Sequence, residues 1–209
     1  MSGFHRLHAI FSSLQGEGRN VGRPCTFVRF CTCNLACKWC DTHKDEKLVL
    51  TTGEVVDQVM AHGNRSVIIT GGEPTIQPGL DELVLALKAS KLWVALETNG
   101  LVAPRHPEIF DYIAVSPKSD FANRYLDANM LHKANEVRIV AVSDEIAAFC
   151  RQMRRLIEAT DYYISPLDKD DRMHYHRAIK LLKKVNLLER DLLPPWSLSI
   201  QVHKVLGIR

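Results

Sequence analysis

Three closely spaced cysteines, Cys33, Cys37 and Cys40, are the residues of this chain whose pattern first indicates chemistry. They are separated by three and then two residues, so a tight loop would bring their thiolates toward one centre. Thiolates hold iron–sulfur clusters, and a [4Fe–4S] cube held by only three of them keeps one iron without a protein ligand. That iron can bind a small molecule. The triplet therefore predicts a cluster with an open coordination site.

A fourth cysteine nearby leaves an alternative open. Cys31 precedes Cys33 by two positions, and Cys31, Cys33, Cys37 and Cys40 together could hold a structural zinc ion. The C-x-C step is unusual for a zinc knuckle, in which about two to four residues usually separate the paired ligands. On the local pattern alone, a zinc-stapled binding module without catalysis competes with a cluster enzyme.

Composition and charge narrow the class of protein. The chain has 209 residues, 46% hydrophobic and 24% charged, which favours one domain over residues 1–209. The net charge of +3 indicates no direct nucleic-acid partner, and Arg151, Arg154 and Arg155 are expected to form a solvated helix face. No apolar run is long enough to span a bilayer, and no signal-peptide core is present. We expect a cytoplasmic protein without membrane contact, whose cysteines are ligands or buried thiols.

Short β-branched runs alternate with helical patterns along the chain. Strands are predicted at 26–30, 66–70, 93–97, 112–115, 136–142 and 162–164, with a last apolar run at 197–205. Helices are predicted from a capping box at Thr51, from Asp81, over about 143–159 and over about 173–188. The alternation predicts βαβ units and a parallel sheet. Because a complete (β/α)8 barrel needs about 250 residues, we expect an α/β fold of the incomplete (β/α)6 type, with about six parallel strands and an open side.

Polar motifs follow the predicted strands at their carboxyl ends. They are the cysteine loop, Gly71-Gly72-Glu73-Pro74, Glu97-Thr98-Asn99-Gly100, Ser116-Pro117-Lys118 and Ser165-Pro166. The active sites of such barrels lie at this edge of the sheet. Each motif alone is compatible with a turn or an exposed loop, but a zinc staple would not need polar groups at the other strand ends. The repetition predicts an active site built from these motifs.

The cysteine triplet followed by G-G-E-P resembles the radical S-adenosylmethionine (SAM) superfamily. The resemblance implies a [4Fe–4S] cluster on Cys33, Cys37 and Cys40, whose free iron binds the amino and carboxylate groups of SAM. The glycines would let backbone groups approach the SAM amino group, and Ser116 and Lys118 would donate to its ribose and carboxylate. The full SAM-binding set would be Trp39, Gly71, Gly72, Glu73, Asn99, Gly100, Ser116, Pro117 and Lys118.

A narrower resemblance begins in the N-terminal segment. S-L-Q-G-E-G at 13–18, Arg29, C-N-L-A-C-K-W-C-D-T, E-T-N-G, S-P-K and Q-V-H-K together resemble the 7-carboxy-7-deazaguanine synthase family of queuosine and deazapurine biosynthesis. The resemblance implies conversion of 6-carboxy-5,6,7,8-tetrahydropterin to 7-carboxy-7-deazaguanine with loss of ammonia. A 5′-deoxyadenosyl radical would take a hydrogen from substrate C6 before ring contraction, and SAM would be regenerated. The competing enzyme class is a glycyl-radical-enzyme activase, against which S-L-Q-G-E-G and C-D-T argue.

The same resemblance implies further roles. The substrate-binding set would be Leu14, Gln15, Gly16, Glu17, Arg29 and Thr98, with the Arg29 guanidinium gripping the substrate carboxylate through two parallel bonds. Thr42 would contribute to a Mg²⁺ site, since this ion prefers oxygen ligands. A homodimer and a reductant such as flavodoxin are implied by the resemblance alone. For His203 and Lys204, function and packing both stay open.

Overall fold

One large sheet forms the frame of the protein, whose computed structural model describes residues 3–40, 45–127, 129–169 and 172–208. The strands are β1 (Phe4–Leu14), β2 (Pro24–Phe30), β3 (Leu48–Thr51), β4 (Ser66–Gly71), β5 (Trp93–Thr98), β6 (Tyr112–Val115), β7 (Lys133–Ala141), β8 (Glu158–Pro166), β9 (Asp168–Lys169), β10 (Arg172–Met173) and β11 (Trp196–Leu198). The helices are α1 (Thr52–Ala61), α2 (Leu80–Ala89), α3 (Ala147–Leu156), α4 (Tyr175–Leu188) and α5 (Val202–Val205).

Within these ranges the large sheet has nine strands in the order β11-β8-β7-β6-β5-β4-β2-β1-β3. All neighbours from β2 to β11 are parallel, whereas β1 pairs antiparallel with both β2 and β3. The edge strands β3 and β11 are not paired with each other in this described sheet. The expected incomplete α/β barrel with an open side is therefore confirmed, with a short seventh parallel strand and two N-terminal strands that the sequence reading did not identify.

Three predicted boundaries are wrong because tertiary pairing overrides local helical pattern. The helix expected to reach Ala159 ends at Leu156, since β8 begins at Glu158 and pairs with β7 along its whole length. The helix expected over about 173–188 begins at Tyr175, because Met173 belongs to the small β9–β10 hairpin. The run 197–205 divides into β11 and α5. The capping box at Thr51 is confirmed, with the Glu54 carboxylate accepting from the Thr51 N–H at 2.7 Å.

The two faces of the sheet carry different side chains, because successive residues of a strand point to opposite faces. One face packs with the helices into the main apolar core, where fully buried side chains such as Ile69, Leu83 and Met153 contribute about 1.5–3 kcal/mol each. The other face carries a small apolar floor that includes Phe27 and Ile68. Above this floor, polar side chains occupy the carboxyl ends of the strands, and this is where a site can form.

The expected solvated arginine face is wrong at Arg154, whose side chain is 7% exposed. Its guanidinium lies 4.4 Å from the centroid of the Tyr162 ring and donates to the carbonyl of Pro194 at 2.7 Å. Because α3 packs against β8 and α4, Arg154 is a buried structural residue. Among the described residues, no helix combines the length and apolarity that crossing a bilayer would require.

Candidate active site

A cavity of about 240 Å³ opens at the carboxyl ends of the parallel strands. It is lined by fifteen residues that the sequence predicted: Leu14, Gln15, Gly16, Glu17, Arg29, Cys33, Cys37, Trp39, Cys40, Gly71, Gly72, Thr98, Asn99, Ser116 and Lys118. Three further predicted residues, Glu73, Gly100 and Pro117, do not line it, and Thr42 lies outside the described residues. The motifs meet because parallel strands present their carboxyl ends at one edge.

The three cysteines of the triplet all line this cavity. The N–H of Leu35 donates to Cys33 Sγ at 3.4 Å. Burial raises the pKa of the Cys37 thiol, and the nearby Lys118 charge opposes this shift. In the described part of the chain, no three His, Cys, Asp or Glu residues approach closely enough to hold one metal ion. A cubane does not require that convergence, since its thiolates bind different irons, whereas four zinc ligands surround one atom.

Cys31 faces away from the cavity. Its thiol is 5% exposed and donates to the backbone carbonyl of Arg6 at 3.3 Å. The thiol is thus bound to the backbone of β1. The geometry gives no support to a zinc site that would use Cys31 together with the triplet.

Neighbouring strand ends hold the cysteine loop in place. The carbonyl of Asn34 accepts from Arg124 Nη1 at 3.2 Å, and its side-chain oxygen accepts from Asn99 Nδ2 at 2.8 Å. The carbonyl of Thr32 accepts from the Glu73 N–H at 2.8 Å. The loop backbone is therefore anchored from both the β4 and the β5 ends, independently of any bound group.

Gly71 and Gly72 approach this loop more closely than any other residue type could. A Cβ at Gly71, where φ is +117°, would lie 2.2 Å from the carbonyl oxygen of Phe30, and one at Gly72 would lie 2.1 Å from that of Thr32. The Gly72 N–H already donates to Phe30 at 2.9 Å. What Gly72 can still offer a ligand is its carbonyl oxygen, which suits an ammonium donor. The glycines are thus required first by the protein's own packing.

Glu73 lies behind the cavity wall and organises it. The carboxylate is 0% exposed and accepts from Thr98 Oγ1 at 2.6 Å, from the Asn99 N–H at 2.7 Å and from Thr75. Burial raises the pKa of Glu73, and these hydrogen bonds oppose the rise. The Gly100 N–H in turn donates to Thr98 Oγ1 at 3.0 Å. Glu73 and Gly100 therefore fix the turn that presents Thr98 and Asn99.

The S-P-K motif meets the cysteine loop across the cavity. Lys118 Nζ donates to Ser116 Oγ at 2.8 Å and lies 5.3 Å from the centroid of the Trp39 ring. Trp39 Nε1 donates to Asp120 at 3.1 Å. The Lys118 N–H donates to the Tyr125 hydroxyl at 2.9 Å. Tyr125 is completely buried, and the sequence analysis gave it no role.

A second set of groups lines the same cavity. Arg29 projects from β2 over the Phe11 ring, with its guanidinium carbon 5.5 Å from the ring centroid. His203 packs against Gly16, where a Cβ would lie 1.9 Å from its Nδ1. Lys204 Nζ lies 2.7 Å from Asp168 Oδ2. Both His203 and Lys204 line the cavity, on α5 instead of the predicted strand.

A charged cluster forms around the buried Arg138, and the sequence patterns did not predict this grouping. Arg138 Nη2 donates to Glu97 Oε1 at 2.6 Å, and its Nη1 lies 3.4 Å from Glu17 Oε2. Its Nε lies 2.8 Å from Glu136 Oε1, an ion-pair contact whose angle is unsuited to a hydrogen bond. Burial alone would raise the pKa of Glu97, but the Arg138 charge and the hydrogen bonds outweigh it, and the pKa falls to about 2.

One sequence signal could have identified this cluster. Glu136 and Arg138 are charged residues at alternate positions in the apolar part of β7, and such residues share one face of the sheet. Val137, Ile139 and Val140 dominate this part and make it resemble an ordinary apolar strand. The partners on β5 and after β1 cannot be read from local pattern.

The fold and the cavity together define a radical SAM enzyme, and comparisons with known proteins agree. The family model described as Radical SAM superfamily matches residues 27–142. The chain is 45% identical to the 7-carboxy-7-deazaguanine synthase of Neisseria meningitidis serogroup B, over 98% of this chain and 94% of that protein. It is 43% identical to the enzyme of the same name from Haemophilus influenzae, over 95% and 92%.

A solved structure extends the similarity to the fold. The crystal structure of QueE from Escherichia coli matches with a TM-score of 0.69 and 25% identity, covering 96% of this chain and 95% of that one. The chain belongs to the 7-carboxy-7-deazaguanine synthase family of the radical SAM superfamily. Its cofactors are accordingly a [4Fe–4S] cluster and SAM.

Proposed function

We propose that this protein converts 6-carboxy-5,6,7,8-tetrahydropterin to 7-carboxy-7-deazaguanine with loss of ammonia, with SAM acting catalytically. The proposal rests on the set of residues that line one cavity. The cysteine triplet, Gly71-Gly72, Arg29 and the Gln15–Glu17 segment all line it. A cofactor and a carboxylated heterocycle would therefore lie side by side.

The residues of the cysteine loop fit the cluster. Cys33, Cys37 and Cys40 supply three thiols, the Leu35 N–H already donates to one of them, and the fourth nearby cysteine is turned away. When bound, the cluster and SAM would supply the 5′-deoxyadenosyl radical chemistry proposed for substrate C6. The protein's part is to hold the reactants and to exclude side reactions.

The groups proposed for SAM surround the cysteine loop. The carbonyls of Gly71 and Gly72 would accept from the SAM ammonium, and Ser116 and Lys118 would donate to its hydroxyls and carboxylate. Trp39 and Asn99 would line the same pocket. Glu73, Gly100 and Pro117 would act through the loops they shape, since none of them lines the cavity.

The groups proposed for the substrate are complementary to a carboxylated pterin. The Arg29 fork would bind the carboxylate, and Glu17 would accept from the N–H edge of the ring. Leu14, Gln15, Gly16 and Thr98 would complete the site with backbone and side-chain contacts. The apolar floor formed by Phe11 and Phe27 would exclude water beneath the ring.

Several wider assignments are part of the same proposal. The chain would work as one domain, in the cytoplasm and as a homodimer, without direct nucleic-acid or membrane partners. The described cysteines form no disulfides, which suits a reducing compartment. A reductant such as flavodoxin would supply the electron. Thr42 would contribute a hydroxyl to a Mg²⁺ site next to the substrate carboxylate.

An anaerobic assay tests the proposed function. The reconstituted, reduced enzyme is incubated with SAM and carboxytetrahydropterin, and we expect 7-carboxy-7-deazaguanine and ammonia with SAM conserved. Failure to form this product on an intact cluster would contradict the substrate assignment. Purified protein that contains zinc and takes up no iron or sulfide would contradict the cluster itself.

A further inference from the structure

The segment from Gln15 to Arg19 is held in place mainly by contacts with other parts of the chain. After β1 ends at Leu14, it contains only a short 3-10 turn, Gly18–Asn20. It carries Gln15 and Glu17, which the proposed function places against the substrate. Backbone hydrogen bonds hold its start, since the Gln15 N–H donates to the Arg23 carbonyl at 2.9 Å and the Gly16 carbonyl accepts from the Val202 N–H at 2.9 Å. No regular strand or helix orients the side chains of Gln15 and Glu17, so groups from other parts of the chain position them.

Those side chains converge on Arg138. Its guanidinium contacts Glu17 directly, with Nη1 3.4 Å from Oε2. It also reaches Gln15 through one intermediate, because Glu97 Oε1 accepts from both Arg138 Nη2 at 2.6 Å and Gln15 Nε2 at 3.0 Å. Two of the proposed substrate contacts are thus tied to the same guanidinium.

A third path runs from Arg138 to the end of the segment. Its Nε lies 2.8 Å from Glu136 Oε1, and Glu136 Oε2 accepts from the Arg19 N–H at 2.9 Å and from the Tyr112 hydroxyl at 2.8 Å. Gly18 passes so close to this carboxylate that a Cβ would lie 2.3 Å from its Oε1. Arg138 therefore contacts Glu17 directly and is linked through Glu97 to Gln15 and through Glu136 to the Arg19 N–H, alongside the bond from Gln201 Nε2 to Glu17 at 2.8 Å.

Charge explains why an arginine is needed here. Three carboxylates from three different parts of the chain lie around one guanidinium whose side chain is 7% exposed. Without that positive charge, the like charges would repel one another at low dielectric and move apart. A lysine would keep the charge but could not make the several directed contacts of a planar fork.

We propose that Arg138 is a positioning residue that preorganises the Gln15–Arg19 segment for recognition of the heterocyclic substrate. The role in recognition rests on the proposed function, whereas the anchoring of the segment does not. Arg138 holds Glu17, and through Glu97 it holds Gln15, before the substrate arrives. Substrate binding then does not pay the entropy of ordering this loop.

The test compares Arg138→Lys, Arg138→Gln and the charge-balanced double variant Arg138→Met with Glu136→Gln in the reconstituted enzyme. The matched control is Arg190→Gln, because the Arg190 side chain is 77% exposed and pairs only weakly with Asp191. Hydrogen–deuterium exchange of peptides covering residues 15–19 is one readout. Affinities for SAM and for 6-carboxypterin, a stable relative of the substrate, are the others.

We expect faster exchange at residues 15–19 in all three Arg138 variants. We also expect 6-carboxypterin affinity to fall by about 100-fold, with SAM affinity and exchange of the cysteine loop unchanged within about twofold. A wild-type exchange rate at residues 15–19 would overturn the proposal. Wild-type pterin affinity in the double variant would also overturn it. Equal losses of SAM and pterin affinity would do so as well, and so would general unfolding of all three variants. If the wild-type enzyme itself ignores the pterin, the proposed function fails while the exchange result still decides the anchoring.

Discussion

Thr98 Oγ1 donates to the buried carboxylate of Glu73 at 2.6 Å. This bond joins the loop after β4 to the end of β5, two segments that each contribute a wall of the cavity. Glu73 lies three residues beyond Thr70, which pairs in register with Arg29. The G-G-E-P motif therefore works as a structural junction between the cysteine loop and the E-T-N-G turn, in addition to any contact its glycines make with a cofactor.

Glu73→Gln is expected to destabilise the fold by about 2 kcal/mol or more. The amide would present N–H groups to donors that now need an acceptor, and at least one buried donor would be left unsatisfied. Urea unfolding of the cluster-free protein measures the loss. Glu158→Gln is the control, since its carboxylate is 78% exposed. Equal stability of the two variants would refute the junction role.

Cysteine substitutions should distinguish the three cluster ligands from Cys31, which only packs inside the protein. Cys33→Ala, Cys37→Ala and Cys40→Ala should each abolish cluster assembly, because a cubane with two thiolate ligands is not retained. Cys31→Ala should keep most of the iron and sulfide, since its thiol bonds to the Arg6 carbonyl. Iron and sulfide analysis after anaerobic reconstitution measures both outcomes. Loss of the cluster in Cys31→Ala would show that the ligand assignment is wrong.

The stability of the cluster-free protein should depend on pH through Glu97. Its pKa is about 2 in the folded protein, below the ordinary 4.5. A depressed acid pKa contributes stability that is fully present above about pH 4.5 and is lost as the pH falls toward about 2, by up to about 3 kcal/mol. Glu97→Gln should flatten this dependence below pH 4.5. Denaturant unfolding across the acid range measures it, and an unchanged slope in the variant would exclude Glu97 as the source.

Arg29→Lys should weaken substrate binding more than cofactor binding. Lysine keeps the charge but loses the bidentate grip on a carboxylate, so we expect the KM for carboxytetrahydropterin to rise about 100-fold, a loss of about 3 kcal/mol. The KM for SAM should stay within about twofold. Parallel steady-state kinetics measure both constants. Equal increases would place Arg29 in general packing of the cavity.

Thr42→Ala should lower the stimulation of the enzyme by Mg²⁺. Mg²⁺ usually takes only one or two protein ligands and keeps several waters, so the loss of one hydroxyl should weaken the site without removing it. Titration of activity with Mg²⁺ in chelator-treated enzyme measures the midpoint. A midpoint equal to that of the unaltered enzyme would remove Thr42 from the proposed site.

The sequence by itself predicted most of the residues that line the cavity at the carboxyl ends of the parallel strands. The cysteine triplet, the two glycines and the E-T-N-G and S-P-K motifs are short and follow strands, so the rule for parallel sheets brings them together without further information. The same local signals predicted most strand cores and the Thr51 helix start. Fold class and family were therefore accessible from order and spacing along the chain.

Only the tertiary structure decided how these pieces are held. Whether Cys31 faces the cavity depends on its bond to the backbone of β1, and the local sequence pattern does not reveal β1. The grouping of Arg138 with Glu17 and Glu97 depends on the register of β7 and β5 and on the path of the chain after β1. Such long-range contacts produce no periodic pattern in the sequence. A buried charge is stabilised by partners on other strands, and these partners are distant along the chain.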